Sequence, residues 1–198
     1  MSKAILVANW KNFPKSKEET ARLLSQLARQ GAIYKKRAVY IAPPFTYFES
    51  VASKVSSFAS LATQDVPLPP DGVHTGEITA DILRSFGTKL AILGHSERRA
   101  MGESNQVMAG KVRLAIRSGF KALVCVGEEV RDQDGQYFEF LKEQIKASLA
   151  GCKKLEAQKS LIVAYEPVWA IGDKALGSIK PEDLAQTVIF IKKIFYSR

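Results

Sequence analysis

Short apolar runs recur along the chain, and each leads into a stretch with helical spacing. The runs are Ala4–Ala8, Ala38–Ala42, Ala59–Thr63, Lys89–Leu93, Lys121–Val126 and Leu161–Tyr165. They lack the polar alternation of half-wet strands, so they read as short strands buried on both faces. Between them the polar pattern predicts helices. One starts at Ser16, with Glu19 three residues on in a capping-box pattern; Leu24, Leu27 and Ala28 share its face and Gly31 is placed to stop it. Pro44 opens a helix running to about Val55, and Thr79–Phe86 forms a brief one halted by Gly87. Glu103–Ser118 carries Val107, Val112, Leu114 and Ile116 and ends at Gly119. Gln136–Leu149 places Phe138, Leu141, Ile145 and Leu149 on one stripe. Pro181 opens a last helix with Leu184, Val188, Ile191 and Phe195 along one side.

The chain thus alternates strand and helix six times, at roughly the spacing of βαβ units. That pattern predicts an α/β fold with a parallel sheet covered on both faces. In such folds the loops after the strands share one rim, where sites are built. Asn9, Lys11, His95, Glu97, Glu128 and Glu166 all fall just past strand ends, so they are expected to converge there. The longest loop signal is Gln64–Gly76, with three prolines and two glycines.

Length changes this picture little: 198 residues read most simply as one domain, residues 1–198. The net charge of +9 suits a small anionic substrate, but the basic residues are scattered apart from groups such as Lys35-Lys36-Arg37. No nucleic-acid motif accompanies them. The two cysteines, Cys125 and Cys152, have no metal-like spacing, and Cys125 reads as a reduced core thiol. No apolar run approaches a membrane span, and the N-terminus is unlike a signal peptide, so the cytoplasm is the expected location.

The most informative stretch is Ser160–Lys174. A strand delivers Glu166 to its C-terminal end, Pro167 locks the backbone, and the apolar flap Val168–Ile171 ends at Gly172. This is the pattern of a base under a lid. With His95, Lys11 and Asn9 on the same rim, the groups suit proton transfer beside a carbonyl. The carboxylate removes the carbon-bound proton; the imidazole and ammonium hold the developing oxyanion. Taken singly, each residue also has a structural reading: Glu166 in a solvated turn, Trp169 as core, Lys11 as surface charge, Asn9 in a turn, and Glu97 paired with Arg98 or Arg99.

Four motifs resemble the triosephosphate isomerase family: Ala8-Asn9-Trp10-Lys11, Gly94-His95-Ser96-Glu97-Arg98-Arg99, Cys125-Val126-Gly127-Glu128, and Tyr165 through Gly172. The resemblance covers essentially the whole chain in order. It implies a (β/α) barrel that interconverts dihydroxyacetone phosphate and glyceraldehyde 3-phosphate without a cofactor or metal. It implies Glu166 as base and His95 as neutral electrophile. Lys11 would stabilise negative charge, Asn9 would orient substrate, and the Gly172 N–H would meet the phosphate. Glu97, Ser96 and Cys125 take supporting places. It also implies that the Gln64–Gly76 loop reaches a neighbouring subunit with Thr75 at its tip, making a homodimer or higher oligomer. His74 then reads as a loop or interface residue.

Two departures from the family stand out. Six strand–helix units are present where the barrel has eight, typically in ~250 residues, so the expected fold is an incomplete TIM barrel. The family's glycine-rich phosphate turns after strands seven and eight have no match here, and unpaired strand edges are expected to drive self-association. The flap also reads Gly172-Asp173-Lys174 where the family has Gly-Thr-Gly-Lys. Both departures predict a weaker phosphate grip and a slower enzyme. The alternative is a non-catalytic oligomeric scaffold on the same frame. A doubly wound phosphate-binding protein is disfavoured, because no GxGxxG fingerprint is present.

Overall fold

The computed structural model describes residues 4–34, 37–68, 74–152, 160–172 and 175–197. Lys35, Lys36, Asp173 and the middle of the Gln64–Gly76 loop, all singled out above, lie outside the described residues. Among the described residues, six parallel strands follow one another in chain order, β1 to β6. The fold is an incomplete TIM barrel of six strand–helix units. Two compact units make it up: Met1–Ile92 with Leu114–Lys121, and Leu93–Arg113 with Ala122–Arg198.

In the first unit, β1 (Ile5–Asn9) pairs with β2 (Ala38–Ala42), placing Asn9 beside Ala42. β2 pairs with β3 (Ser60–Thr63), and β3 with β4 (Leu90–Leu93). The helices α1 (Lys17–Arg29) and α3 (Phe48–Val55) pack together, burying Leu24, Phe48, Val51 and Val55. The Ser16 side chain accepts the Glu19 N–H, as the capping box predicts. The Glu19 carboxylate returns a bond one residue earlier, to the Lys15 N–H. Phe45, Phe48 and Phe86 close the core with tilted and edge-on ring contacts.

In the second unit, β5 (Lys121–Val126) pairs with β6 (Leu161–Tyr165) over their whole shared length, from Ala122–Leu161 to Val126–Tyr165. β5 is buried apart from Lys121. The helix α7 (Gln136–Ser148) lays Leu141 and Ile145 into the core, with Leu149 just beyond. It packs on α8 (Pro181–Tyr196), where Phe138 meets Phe190 at 4.6 Å between ring centroids.

Several expectations change. β1 is not buried on both faces: Ile5 and Leu6 are 43% and 42% exposed. β1 ends the strand order, and among the described residues no strand covers its outer side. Gly31 does not stop α1; Gln30 caps it, and Gly31 opens a further helical turn, α2 (Gly31–Tyr34). A Cβ at Gly31 would lie 3.3 Å from that of Phe58, so close packing explains the glycine. In α6 (Asn105–Arg117) the buried stripe is Met108, Val112 and Ala115, with Val107 outward. In α8 it is Thr187, Ile191 and Ile194, while Leu184 is exposed. Thr187 can face inward because its hydroxyl donates to the Asp183 carbonyl. Among the described residues no helix is long and apolar enough to cross a membrane.

One buried ion cluster supports the second unit. The Glu103 carboxylate accepts from Arg98 Nε and Nη2 at 2.8 and 2.6 Å and from the ammonium of Lys111, itself 3% exposed. Burial pushes the carboxyl pKa up, but the bonds and charges of Lys111 and Arg98 outweigh it and hold the group below its usual value. A depressed folded pKa gives stability above the unfolded pKa that is lost as pH falls through the folded one. Glu103→Gln should therefore cost about 3 kcal/mol in urea melts at pH 7, by removing one partner of a buried pair. The gap to the parent should close as melts are repeated toward pH 3.

Candidate active site

The site begins where β4 leaves the sheet. Gly94 turns the chain at φ +66°, a conformation that favours glycine, and the next residue, His95, caps helix α5 (Ser96–Ala100). The cap is an imidazole: His95 Nδ1 accepts the Glu97 N–H at 3.3 Å. An accepting Nδ1 leaves Nε2 to carry the proton of the neutral ring. Nε2 faces the Glu166 carboxylate, 3.6 Å from Oε2. The other carboxylate oxygen, Oε1, accepts the Ser96 N–H at 2.7 Å. Glu97 keeps its own carboxylate mostly in solvent, 3.6 Å from His95 Nδ1. Arg98 bonds Glu103, as described above, and Arg99 bonds the groups described below.

Glu166 is held from below by the neighbouring strand, β5. Its N–H donates to the Val126 carbonyl at 2.8 Å, and the Val168 N–H donates to the Glu128 carbonyl at 2.9 Å. Between these bonds the two backbones nearly touch. A Cβ at Gly127 would sit 1.9 Å from the Glu166 carbonyl oxygen. Only a glycine leaves room, and the Gly127 N–H is taken by Oε1 of buried Gln144 at 3.0 Å. Beneath lies Cys125, 4% exposed. Burial first, and then the Glu166 charge, push its thiol pKa well above the ordinary range, although Arg99 pulls the other way. Cys125 is a neutral packing group here, not a nucleophile.

Arg99 is a residue that sequence reasoning undervalued. Its guanidinium bonds the Gly94 carbonyl at 2.9 Å, Asn105 Oδ1 at 2.7 Å, Ser148 Oγ at 3.2 Å and the Cys125 carbonyl at 3.3 Å. It joins the turn after β4 to the end of β5. Glu128, counted among the rim groups, proves to be buried at 1% exposure. Its Oε1 accepts from Tyr165 OH at 2.8 Å and from Trp169 Nε1 at 2.9 Å. It therefore grips the flap rather than facing a ligand. The flap opens with a 3₁₀ turn, Val168–Ala170, and reaches an exposed Gly172 at φ +72°. The Leu176 N–H bonds back to the Trp169 carbonyl at 2.8 Å.

In the other unit, Asn9 ends β1 and Lys11 lies two residues beyond it. The Lys11 N–H donates to Asn9 Oδ1 at 3.0 Å, and Lys11 adopts φ +51°, rare for a residue with a side chain. Gln64 Nε2 pins this turn, donating to the Lys11 carbonyl at 2.7 Å and the Ala42 carbonyl at 3.0 Å. Sequence reasoning placed Gln64 in an interface loop. Its position one residue past β3 was the signal for a rim role. His74 and Thr75 are exposed. The structure thus brings His95, Ser96, Glu97, Cys125 and Glu166 together in one unit, and Asn9 with Lys11 in the other. Among the described residues no group of three or more His, Cys, Asp and Glu side chains is placed to hold a metal ion.

Gly127→Ala tests the positioning of Glu166. The added methyl must displace the Glu166 peptide, which predicts a loss of about 3 kcal/mol in a denaturant melt, as for an overpacked core. The Ser96–Glu166 bond should be lost with it, seen as a shifted Ser96 amide resonance.

Comparison with known proteins follows this geometry. A model of the triosephosphate isomerase family matches residues 4–198. The triosephosphate isomerase of Vesicomyosocius okutanii is 37% identical over 199 residues, covering 98% of this chain and 77% of that protein. That of Azoarcus sp. (strain BH72) is 36% identical over 201 residues, covering 100% and 79%. That of Hahella chejuensis is 38% identical over 186 residues, covering 92% and 72%. A Glu and a His paired at the ends of two parallel strands, in a chain that matches from residue 4 to residue 198, leave one assignment: the chain belongs to the triosephosphate isomerase family.

Proposed function

We propose that this protein interconverts dihydroxyacetone phosphate and glyceraldehyde 3-phosphate by proton transfer through Glu166. The observation that carries the reading is the Glu166 carboxylate, with one oxygen on the Ser96 N–H and the other 3.6 Å from His95 Nε2. Glu166 takes the proton from the carbon beside the carbonyl and returns it to the neighbouring carbon. His95 Nε2–H stabilises the enediolate oxygen; for Lys11 as a second charge on it and Asn9 as the substrate-orienting amide, both in the other unit, the support is the family resemblance of their motif. Gly172 offers its N–H to the phosphate as the flap closes and excludes water. The Ser96 bond to Oε1 must open for that oxygen to reach the substrate C–H.

The 198-residue chain alone is expected to turn over more slowly than its longer relatives. Its residues supply the proton-transfer groups but none of the family's glycine-rich phosphate turns, and remote phosphate binding lowers the barrier at the reacting carbon. A scaffold without catalysis is the alternative, favoured by the apolar exposure of Ile5 and Leu6 on β1.

A coupled isomerase assay separates these readings. Glu166→Gln should cut kcat by at least about a hundredfold with a small change in KM, the range of a lost general base. Parent activity that this substitution leaves untouched belongs to a contaminant, and the scaffold reading then stands. The exposed β1 edge also predicts self-association. Sedimentation should give a mass at least twice 21.8 kDa; a stable monomer would refute the oligomer.

A further inference from the structure

We propose that Arg131 is a positioning residue for the flap, coupling the last helix, α8, to Trp169 and through it to Glu166. The proposal rests on the proton-transfer reading above and adds a residue which that reading does not use.

Arg131 lies in the segment between β5 and α7, with its side chain 15% exposed. Its Nη1 is 3.3 Å from Glu128 Oε1, from Tyr165 OH and from Thr187 Oγ1. Its Nη2 bonds Tyr137 OH at 3.0 Å and lies 3.9 Å from Asp183 Oδ1. The guanidinium also stacks 4.2 Å above the Tyr137 ring. One planar fork thus touches β6, α7, α8 and the carboxylate that holds Trp169. Thr187 and Asp183 both belong to α8, so the helix sets where the fork sits.

The direction of action follows from burial. A carboxylate as deeply buried as Glu128 requires a cation beside it, and Arg131 supplies one at 3.3 Å. Charge-assisted bonds to Glu128 then fix the Trp169 indole, which lies three residues beyond Glu166 across a rigid Pro167. An open groove of about 790 Å³, lined in part by Trp169, Arg131, Leu176 and Lys180, borders the indole, so the bond to Glu128 is a specific hold on it. Lysine could keep the charge but could not span Glu128, Tyr137 and Thr187 together.

The test uses the full chain in a Trp10→Phe background, where Trp169 is the sole tryptophan. Arg131→Met should raise acrylamide quenching of Trp169 about twofold or more. It should lower kcat about tenfold with KM changed less than threefold, as for a displaced but present base. Combined with Trp169→Phe, the cost of Arg131→Met in kcat should shrink to under about threefold, because both changes break one path. Quenching that stays at the parent value, or a full Arg131→Met cost retained beside Trp169→Phe, would overturn the proposal. Thr187→Val removes the hydrogen bond to α8 and leaves Asp183 at 3.9 Å; it should raise quenching in the same direction, and no rise would also count against the coupling. That second variant keeps the test decisive where Arg131→Met does not fold. A parent chain without isomerase activity would defeat the functional reading alone, because quenching reads the Arg131 link without turnover.

Discussion

A single hydrogen bond, from the Ser96 N–H to the Glu166 carboxylate, joins residues seventy positions apart and organises the second unit. It requires three separate features. Gly94 must turn the chain so that α5 begins at His95. β5 and β6 must pair in register so that Glu166 emerges level with Ser96. Gly127 must carry no side chain, because the Glu166 carbonyl occupies that space. Arg99 then secures the rim from inside by bonding the Gly94 and Cys125 carbonyls. Burial lowers its pKa, while Glu103 and Glu166 push the other way. A guanidinium tolerates that burial because its reference value lies so far above neutrality.

Glu128 and Glu166 show how environment separates two carboxylates with the same local sequence logic. Both follow a buried apolar strand at once. Glu128 turns inward, where Tyr165, Trp169 and Arg131 converge on one of its oxygens. Burial and the Glu128 carboxylate together raise the Tyr165 phenol pKa, so this hydroxyl stays protonated and keeps donating. Every donor there is committed, which makes Glu128 a fixed anchor. Glu166 instead has a backbone N–H on one side and an imidazole at 3.6 Å on the other, outside hydrogen-bond range. A group with one strong bond can exchange it, whereas a group with three can only hold.

The sequence made the strands legible because buried parallel strands are short apolar runs, and β2, β5 and β6 match their runs residue for residue. It also placed His95 and Glu166 on one rim, since strand ends share a side in this architecture. Helix faces were harder to read. In α8 the inward position went to Thr187, because a hydroxyl can satisfy itself on the preceding turn while the apolar Leu184 stays outside. The exposure of β1 was hidden for a different reason. An apolar run reports what a strand can bury, and Ile5 and Leu6 have no described strand beyond them to bury it against. Arg99, Gln64 and Arg131 were missed because each also bonds partners far away in sequence, Cys125 and Ser148, Lys11 and Ala42, and Tyr165 and Thr187, which no local pattern encodes.

Side-chain amides do much of the remaining positioning, and their chemistry explains why. Gln64 donates to the carbonyl of Lys11 and so keeps a strained backbone turn in place. Gln144 accepts the N–H of Gly127, the residue on which Glu166 rests. An amide carries no titratable proton across the physiological range. A carboxylate or imidazole in either place would gain or lose a charge as pH changed and would drag the backbone with it. With glutamines there, the groups that would change protonation in the proposed reaction, Glu166 above all, sit on a frame that does not respond to the same protons. Strain at Lys11 is tolerable on the same terms. A residue at φ +51° costs of order 1 kcal/mol, and the bonds from Gln64 and Asn9 over-determine it at any pH where the fold survives.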